Sequence, residues 1–277
     1  MDVLFLYEAD GGTQHRRSER KKEQVTSNQH FFSELGQRIL KRAAERGPHG
    51  RLYDMEAPVS LENRSAPLAK SLTWLESYFQ SDKVPVETQL SLSRTRVVLG
   101  NELMRHQVMQ MMHDLAFQPN QQTVKTQHLL TIREERCSRA SDDDFSLGSG
   151  GVRDIESIVQ LLQIHHAFTG ESLRQPNTMA ALLALREANV LQPEEYRILS
   201  SSYRLFSMLE ARLQWMEQTS CTRLPSGDLL TKLAIQLSYS NGAELFQVVN
   251  QAKSQTSAVV RKFFTSSLNI KGAAVQQ

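Results

Sequence analysis

The stretch Gly148-Ser-Gly-Gly-Val-Arg-Asp-Ile-Glu-Ser-Ile-Val-Gln-Leu-Leu-Gln-Ile-His-His-Ala167 organises the rest of this chain. Its glycines end an acidic loop, and a helix is expected to begin around Val152. Four apolar residues recur at helical spacing, so one face of this helix is built for burial: Ile155, Ile158, Val159 and Leu162. Asp154 and Glu156 lie in its first turn, where a carboxylate interacts favourably with the positive end of the helix dipole.

The first 57 residues predict a strand, a helix and a second strand. The apolar run Val3–Tyr7 is typical of a buried strand. The helix should begin after an N-cap at Thr26, Ser27 or Asn28 and stop at Gly47-Pro48. Alternating polar and apolar residues predict the second strand over Arg51–Ala57. We expect the intervening segment from Gly11 to Val25 to be a mobile loop, because it is highly charged and has few apolar residues.

From Ser71 to about Leu268 the pattern is helical throughout. Ser71 and Asn177 are expected to cap helices, and Pro193 should start a long helix that ends at Pro225-Ser-Gly227. The adjacent His165 and His166 would point about 100° apart on a helix, so they do not form a metal site together.

Charge and cysteine content narrow the class of protein. The 277 residues carry a net charge of +2, with ten Lys or Arg and four Glu between Thr13 and Arg51. This small excess argues against nucleic-acid binding. Cys137 and Cys221 lack paired spacing and are expected to be reduced thiols in a cytoplasmic protein. No apolar run approaches the ~20 residues that span a bilayer, so no membrane partner is expected.

The string Gly-Gly-Val-Arg-Asp-Ile-Glu resembles the signature of the glutamate–ammonia-ligase (glutamine synthetase) adenylyltransferase family. Its matching residues are Gly150, Gly151, Arg153, Asp154 and Glu156. The resemblance continues through Leu173-Arg-Gln-Pro-Asn-Thr178 and through Tyr203-Arg-Leu-Phe-Ser-Met-Leu-Glu-Ala-Arg-Leu-Gln214, and it covers nearly the whole chain. It implies an α+β, mostly α fold: a remnant of a nucleotidyltransferase β-sheet followed by an all-α helical bundle. The expected domains are residues 1–100 and residues 101–277.

The same resemblance implies a catalytic site with carboxylates that hold Mg²⁺ and ATP. Asp2 aligns with the second Asp of the family's Asp-x-Asp pair, and Glu56 stands where the family has a third carboxylate, usually Asp. Both are therefore candidate catalytic residues and metal ligands, and Asp54 is a substitute ligand on the same strand. Carboxylate oxygens are the ligands that Mg²⁺ prefers in proteins.

Several departures from the family pattern predict an impaired site. Pro58 and Ser60 occupy the positions of two family arginines, which would bind polyphosphate through charge-assisted hydrogen bonds. We expect the Gly-Ser and the first Asp of the family motif to lie upstream of Met1, as in an N-terminally truncated C-terminal half. The compact spacing from Arg96 to Gly150 resembles the adenylylating half of the family.

Two functions remain open from the sequence. In the first, the resemblance implies transfer of AMP from ATP to a tyrosine of glutamine synthetase, with the reverse de-adenylylation as a further activity of the family. In the second, the chain is a non-catalytic helical module that binds glutamine synthetase or a PII-type nitrogen-signalling protein.

Overall fold

The computed structural model describes residues 2–14, 25–45, 55–57, 67–81, 84–168, 170–217 and 222–274. The chain forms two compact units. The first contains residues 1–84 and 97–111, and the second contains residues 85–96 and 112–277. The expected boundary between domains 1–100 and 101–277 stays a prediction.

The first unit is a small α+β assembly. Its strands are β1 (Phe5–Tyr7), β2 (Gly12–Gln14), β3 (Val25–Ser27) and β4 (Ala69–Ser71), and its helices are α1 (Asn28–Ala44) and α2 (Leu72–Gln80). Strands β1 and β4 pair in parallel, with Phe5 opposite Ala69. Strands β2 and β3 pair antiparallel. Helix α1 packs against both of these strand pairs.

The buried side of the first unit is centred on Tyr7. Its side chain is only 3% exposed, and its ring stacks on Phe32 of α1 with centroids 5.5 Å apart. The Tyr7 hydroxyl donates to Asp10 Oδ1 at 2.6 Å. Burial, followed by the effect of this carboxylate, raises the pKa of Tyr7 to about 12. A side chain at Gly36 would collide with Leu68, because its Cβ would lie 2.9 Å from the Leu68 Cδ2. Glycine thus lets α1 approach this part of the unit closely.

The second unit is helical. Its helices are α3 (Val86–Leu92), α5 (Gln122–Arg139), α6 (Val152–His166), α7 (Thr178–Glu187), α8 (Pro193–Glu217), α9 (Gly227–Gln236) and α10 (Gly242–Ala274). Helix α4 (Glu102–Ala116) contributes residues to both units. Single 3₁₀ turns cover Pro119–Gln121 and Glu171–Leu173. Among the described residues after Ser71, the strand pairing is limited to an isolated antiparallel bridge between Asp144 and Arg223.

Helix α6 is the centre of the second unit. It packs against α5, α7, α8 and α10. Four of its apolar side chains have no exposed surface: Ile155, Ile158, Leu161 and Ile164. The apolar periodicity of the opening stretch therefore predicted the central helix, and its start at Val152 is confirmed.

Most predicted helix starts are confirmed by their caps. Ser27 Oγ accepts from the His30 backbone N–H, Ser71 Oγ from that of Trp74, and Asn177 Oδ1 from that of Ala180. Each cap satisfies a backbone donor that the first helical turn leaves unpaired. The fold class, mostly helical with a small parallel sheet, is also confirmed.

Some sequence expectations need correction, and others fall outside the described residues. The segment expected to be a loop from Gly11 to Val25 is paired at its ends, because β2 and β3 form an antiparallel ladder. Strand β4 was not predicted, since three residues are too few to show a period. Helix α8 ends at Glu217, before Pro225. Residues 15–24 and most of the predicted strand 51–57 lie outside the described residues.

None of the helices in the described ranges combines the length and the apolar character needed to cross a membrane.

Candidate functional site

The two residues predicted to bind metal, Asp2 and Glu56, are backbone neighbours in the first unit. Asp2 and Glu56 are the partners of an isolated parallel bridge, and the Val3 backbone N–H donates to the Glu56 carbonyl oxygen at 2.9 Å. Directly opposed residues of paired strands project from the same face. Both residues are exposed. The fold therefore brings together two carboxylates that are 54 positions apart in the sequence (56 minus 2).

This pair suits a cation that is shared with a phosphate ligand. The described residues contain no group of three or more His, Cys, Asp or Glu that could hold a metal ion. Mg²⁺ typically uses one or two protein carboxylates and completes its coordination with water and substrate phosphates. The donor set of Asp2 and Glu56 fits that pattern. The third predicted ligand, Asp54, lies outside the described residues.

Asp154, from the glycine-rich signature, is an internal anchor of the second unit. Its carboxylate is 0% exposed. Arg133 donates to both of its oxygens at 2.9 and 2.8 Å, and Arg136 donates to Oδ1 at 2.7 Å. The Gly150 backbone N–H donates to Oδ2 at 2.9 Å. Asp154 thus ties α5 and the glycine loop to α6, so its role goes well beyond the helix-dipole contact expected from the sequence.

Glu156 makes a second ion-pair cluster on α6. Arg94 contacts both of its oxygens, at 2.7 Å from Nη2 and 3.1 Å from Nη1, and Arg153 contacts Oε2 at 2.8 Å. Arg94 also donates to Thr178 Oγ1 at 3.3 Å. Burial by itself raises the pKa of the Glu156 carboxyl, but the hydrogen bonds and charges of the two arginines outweigh it and lower the pKa below its ordinary value. Glu156 is therefore held as a carboxylate that joins α6 to the segment after α3.

We expect Glu156→Gln to lower the free energy of unfolding at pH 7 by about 1–3 kcal/mol, because a neutral amide loses charge-assisted bonds to Arg94 and Arg153. The pKa of Glu156 is lowered in the folded state. Its stabilisation is therefore complete above the unfolded pKa and is lost as the pH falls through the folded pKa. Urea unfolding at pH 7, 5, 4 and 3 should show the difference from wild type shrinking below about pH 4.5.

The matched control is Glu187→Gln, at an exposed carboxylate whose contact with Arg186 is 3.8 Å long. It should leave the free energy of unfolding within about 0.5 kcal/mol of wild type. An equal loss for Glu156→Gln at pH 3 and pH 7 would contradict the ion-pair explanation.

The signature glycines are required by close backbone approach. Gly150 has a φ of +75°, and a Cβ there would lie 2.1 Å from the Lys253 carbonyl oxygen of α10. At Gly151 a Cβ would lie 2.5 Å from the Phe145 carbonyl oxygen. Left-handed backbone favours glycine, and neither position has room for a side chain. The two glycines therefore let the loop before α6 pack closely against α10. We call this contact between Gly150, Gly151 and α10 the α6–α10 joint.

Several residues that hold this joint were missed at the sequence level. Asp144 is 3% exposed and accepts from the backbone N–H groups of Ser146 and Leu147 and from the Thr222 hydroxyl. Lys253 of α10 donates to the Asp142 carbonyl oxygen. The three-residue spacing of Arg133 and Arg136 on α5 indicated a shared helix face, but nothing local indicated that the face meets Asp154.

Two exposed carboxylates, Asp2 and Glu56, joined by an isolated parallel bridge, match the acidic site that the sequence resemblance implies for a nucleotidyltransferase. Two family models match the chain, and both support this class. The model described as Glutamate-ammonia ligase adenylyltransferase matches residues 1–111, and the model described as GlnD PII-uridylyltransferase matches residues 125–267. The chain is similar to the glutamate-ammonia ligase adenylyltransferase family over residues 1–111.

Curated relatives carry the same description. The chain is 27% identical over 233 residues to a bifunctional glutamine synthetase adenylyltransferase/adenylyl-removing enzyme of Aromatoleum aromaticum, with 82% of this chain covered. It is 28% identical over 235 residues to the protein of the same name from Vibrio parahaemolyticus, with 83% covered. The chain spans 24% of the length of each of these relatives.

Proposed function

We propose that this chain takes part in the transfer of AMP from ATP to a tyrosine of glutamine synthetase, through an impaired active site. The observation that carries the proposal is the isolated parallel bridge between Asp2 and Glu56. Two exposed carboxylates on one face supply the protein's share of a Mg²⁺ site for nucleotide phosphates. The names of the relatives supply the acceptor, glutamine synthetase.

The reaction is an exchange at the α-phosphorus of ATP. The tyrosine oxygen forms a bond to that phosphorus, the bond to the pyrophosphate oxygen breaks, and the phenolic proton is lost to solvent or to a base. A bound Mg²⁺ would neutralise phosphate charge during this exchange. Asp2 and Glu56 would hold that ion in place. Their positions matter because phosphoryl-type transfer depends mainly on positioning and electrostatics.

The impairment follows from the residues after Glu56. Pro58 and Ser60 stand where the family has arginines, and neither offers a positive charge to the polyphosphate. Removing one preorganised donor from a transition state costs about 10²–10³ in rate. We therefore expect transfer by this chain to be weak.

The test is incubation of the 277-residue chain with labelled ATP, Mg²⁺ and glutamine synthetase. We expect weak labelling that falls at least about tenfold in Glu56→Gln, because one carboxylate ligand is lost. Binding of Mn²⁺ with ATP, followed by calorimetry, should fall in the same variant even where labelling is too weak to compare.

The matched control is Glu76→Gln, at an exposed carboxylate of α2 that takes no part in the Asp2–Glu56 bridge. It should behave as wild type in both measurements. Unchanged Mn²⁺ binding in Glu56→Gln would overturn the assignment of this site. Robust labelling by the wild-type chain would overturn the impairment.

A second candidate function is a non-catalytic helical module. It is favoured by the match of residues 125–267 to a model whose description names a PII-uridylyltransferase, since that range lies in the helical unit. Such a module would bind glutamine synthetase or a PII-type protein without any nucleotide. Binding of either protein by Glu56→Gln with wild-type affinity, in the absence of ATP, would favour this function.

A further inference from the structure

One side of helix α8 is exposed along the C-terminal half of the helix. We call this side the α8 outer face; its residues, all exposed, are Arg204, Met208, Ala211, Arg212 and Trp215. Their spacings of three and four place them on one side of the helix, over about three turns. The opposite side packs into the bundle, against α6, α7 and α10, and there Phe206 and Leu213 have no exposed surface.

The α8 outer face has the composition of a protein–protein interface. Trp215 is 87% exposed and Met208 is 45% exposed. The second tryptophan of the chain, Trp74, instead stacks on Tyr78 with ring centroids 5.1 Å apart. Aromatic residues, Met and Arg are the types enriched where proteins bind one another, and Trp and Arg carry most of the binding energy there.

The α8 outer face also carries positive charge that no neighbour balances. In the described ranges of the chain, neither Arg204 nor Arg212 forms an ion pair with a carboxylate. Arg197, earlier on the same helix, does pair with Glu194 at 2.6 Å. Glu210 lies two residues before Arg212, which places it about 160° away around the helix. The charge of this face is therefore complementary to that of an acidic partner.

The spacing of the outer-face residues forms a recess that suits a second helix. Met208, Ala211, Arg212 and Trp215 stand at positions i, i+3, i+4 and i+7, which are the four positions that surround a hole in knobs-into-holes packing. The methyl group of Ala211 is much shorter than its three neighbours. A large side chain of a facing helix can therefore insert above Ala211.

We propose that the α8 outer face binds an acidic amphipathic helix of a partner protein. One large aliphatic side chain of that helix inserts above Ala211, and its Asp or Glu side chains lie beside Arg204 and Arg212. An anionic membrane surface is a poorer match, because basic segments that bind such surfaces carry about four to eight Lys or Arg. The inference goes beyond the proposed nucleotidyl transfer, because α8 belongs to the second unit and Asp2 and Glu56 belong to the first.

The experiment is fluorescence anisotropy of the full chain with a fluorescein-labelled, stapled helical peptide that carries Leu at heptad positions a and d and Glu at the flanking positions. We expect saturable binding that weakens as NaCl is added, because the attraction is partly electrostatic. Trp215→Ala should weaken binding about tenfold, since a large contact area is lost. Arg212→Glu should weaken it at least about tenfold, because like charges then face each other.

A second peptide, with Lys in place of every Glu, tests the charge argument directly. It should bind Arg212→Glu more tightly than it binds the wild-type protein. The matched controls are Ile235→Ala, at a 64% exposed side chain of α9, and Arg261→Glu, at an exposed arginine of α10. Both controls should bind the acidic peptide as wild type does, because neither residue belongs to the α8 outer face.

Four results would overturn the proposal. The first is the absence of saturable binding of the acidic peptide by the wild-type chain, and the second is equal binding of the acidic and the basic peptide. The third is binding to phosphatidylcholine–phosphatidylserine vesicles that is lost in Trp215→Ala, which would assign this face to a membrane. The fourth is a dimer in sedimentation velocity that is lost in the same variant, which would assign the face to a second copy of the chain.

Discussion

Asp154→Ala should lower the free energy of unfolding by about 3–5 kcal/mol, which is the usual cost of removing one partner from a buried ion pair. The carboxylate is fully buried and accepts hydrogen bonds from Arg133, Arg136 and the Gly150 backbone N–H. The two arginine side chains are only 14% and 17% exposed, so water cannot readily replace the lost carboxylate. Urea unfolding at pH 7, followed by circular dichroism, measures the change.

The control for this variant is Glu135→Ala on α5. Glu135 pairs with Arg139 at 3.4 Å, but both side chains are more than half exposed. Its removal should change the free energy of unfolding by less than about 0.5 kcal/mol. A loss below about 1 kcal/mol for Asp154→Ala would contradict the anchoring role, because it would mean that both arginines find equivalent partners.

Gly150→Ala should be the next most damaging substitution, with an expected loss of about 2–5 kcal/mol. Left-handed backbone costs a non-glycine residue about 1–2 kcal/mol, and overpacking adds about 1–3 kcal/mol. The overpacking arises because the new Cβ would lie 2.1 Å from the Lys253 carbonyl oxygen and 3.1 Å from the Ser257 backbone nitrogen. The α6–α10 joint must then open to accept the methyl group. Thermal and urea unfolding both report the loss.

Gly227→Ala separates the two contributions. Gly227 also has a positive φ, +62°, but a Cβ there would meet no atom within 4 Å. The expected loss is therefore the backbone cost alone, about 1–2 kcal/mol. Equal losses for the two variants would show that close packing at Gly150 contributes nothing.

The sequence by itself determined the features that depend on residues three or four positions apart. Caps at Ser27, Ser71 and Asn177 and the apolar face of α6 are such features, and the structure confirms them. A helix start needs only a side chain that reaches a backbone N–H within its own first turn. The family resemblance likewise came from short, contiguous strings of residues and was confirmed by comparison with known proteins.

The candidate site was predicted in part. Asp2 and Glu56 were selected through the family resemblance, and the structure adds that an isolated parallel bridge pairs them. Whether they bind a metal stays a prediction. Strand β4 was missed because its partner β1 lies 64 positions earlier (69 minus 5), and three residues carry no periodic pattern of their own.

Only the tertiary structure decided what the signature residues do. Asp154 meets arginines 21 and 18 positions earlier, and Gly150 meets a carbonyl oxygen on a helix about one hundred residues later. The hydroxyl groups of Ser149 and Ser257 likewise meet across 108 positions. Contacts of this kind depend on the path of the whole chain, because distant segments become neighbours only when their buried faces pack together. Local spacing therefore placed the helices, and packing assigned these side chains their partners.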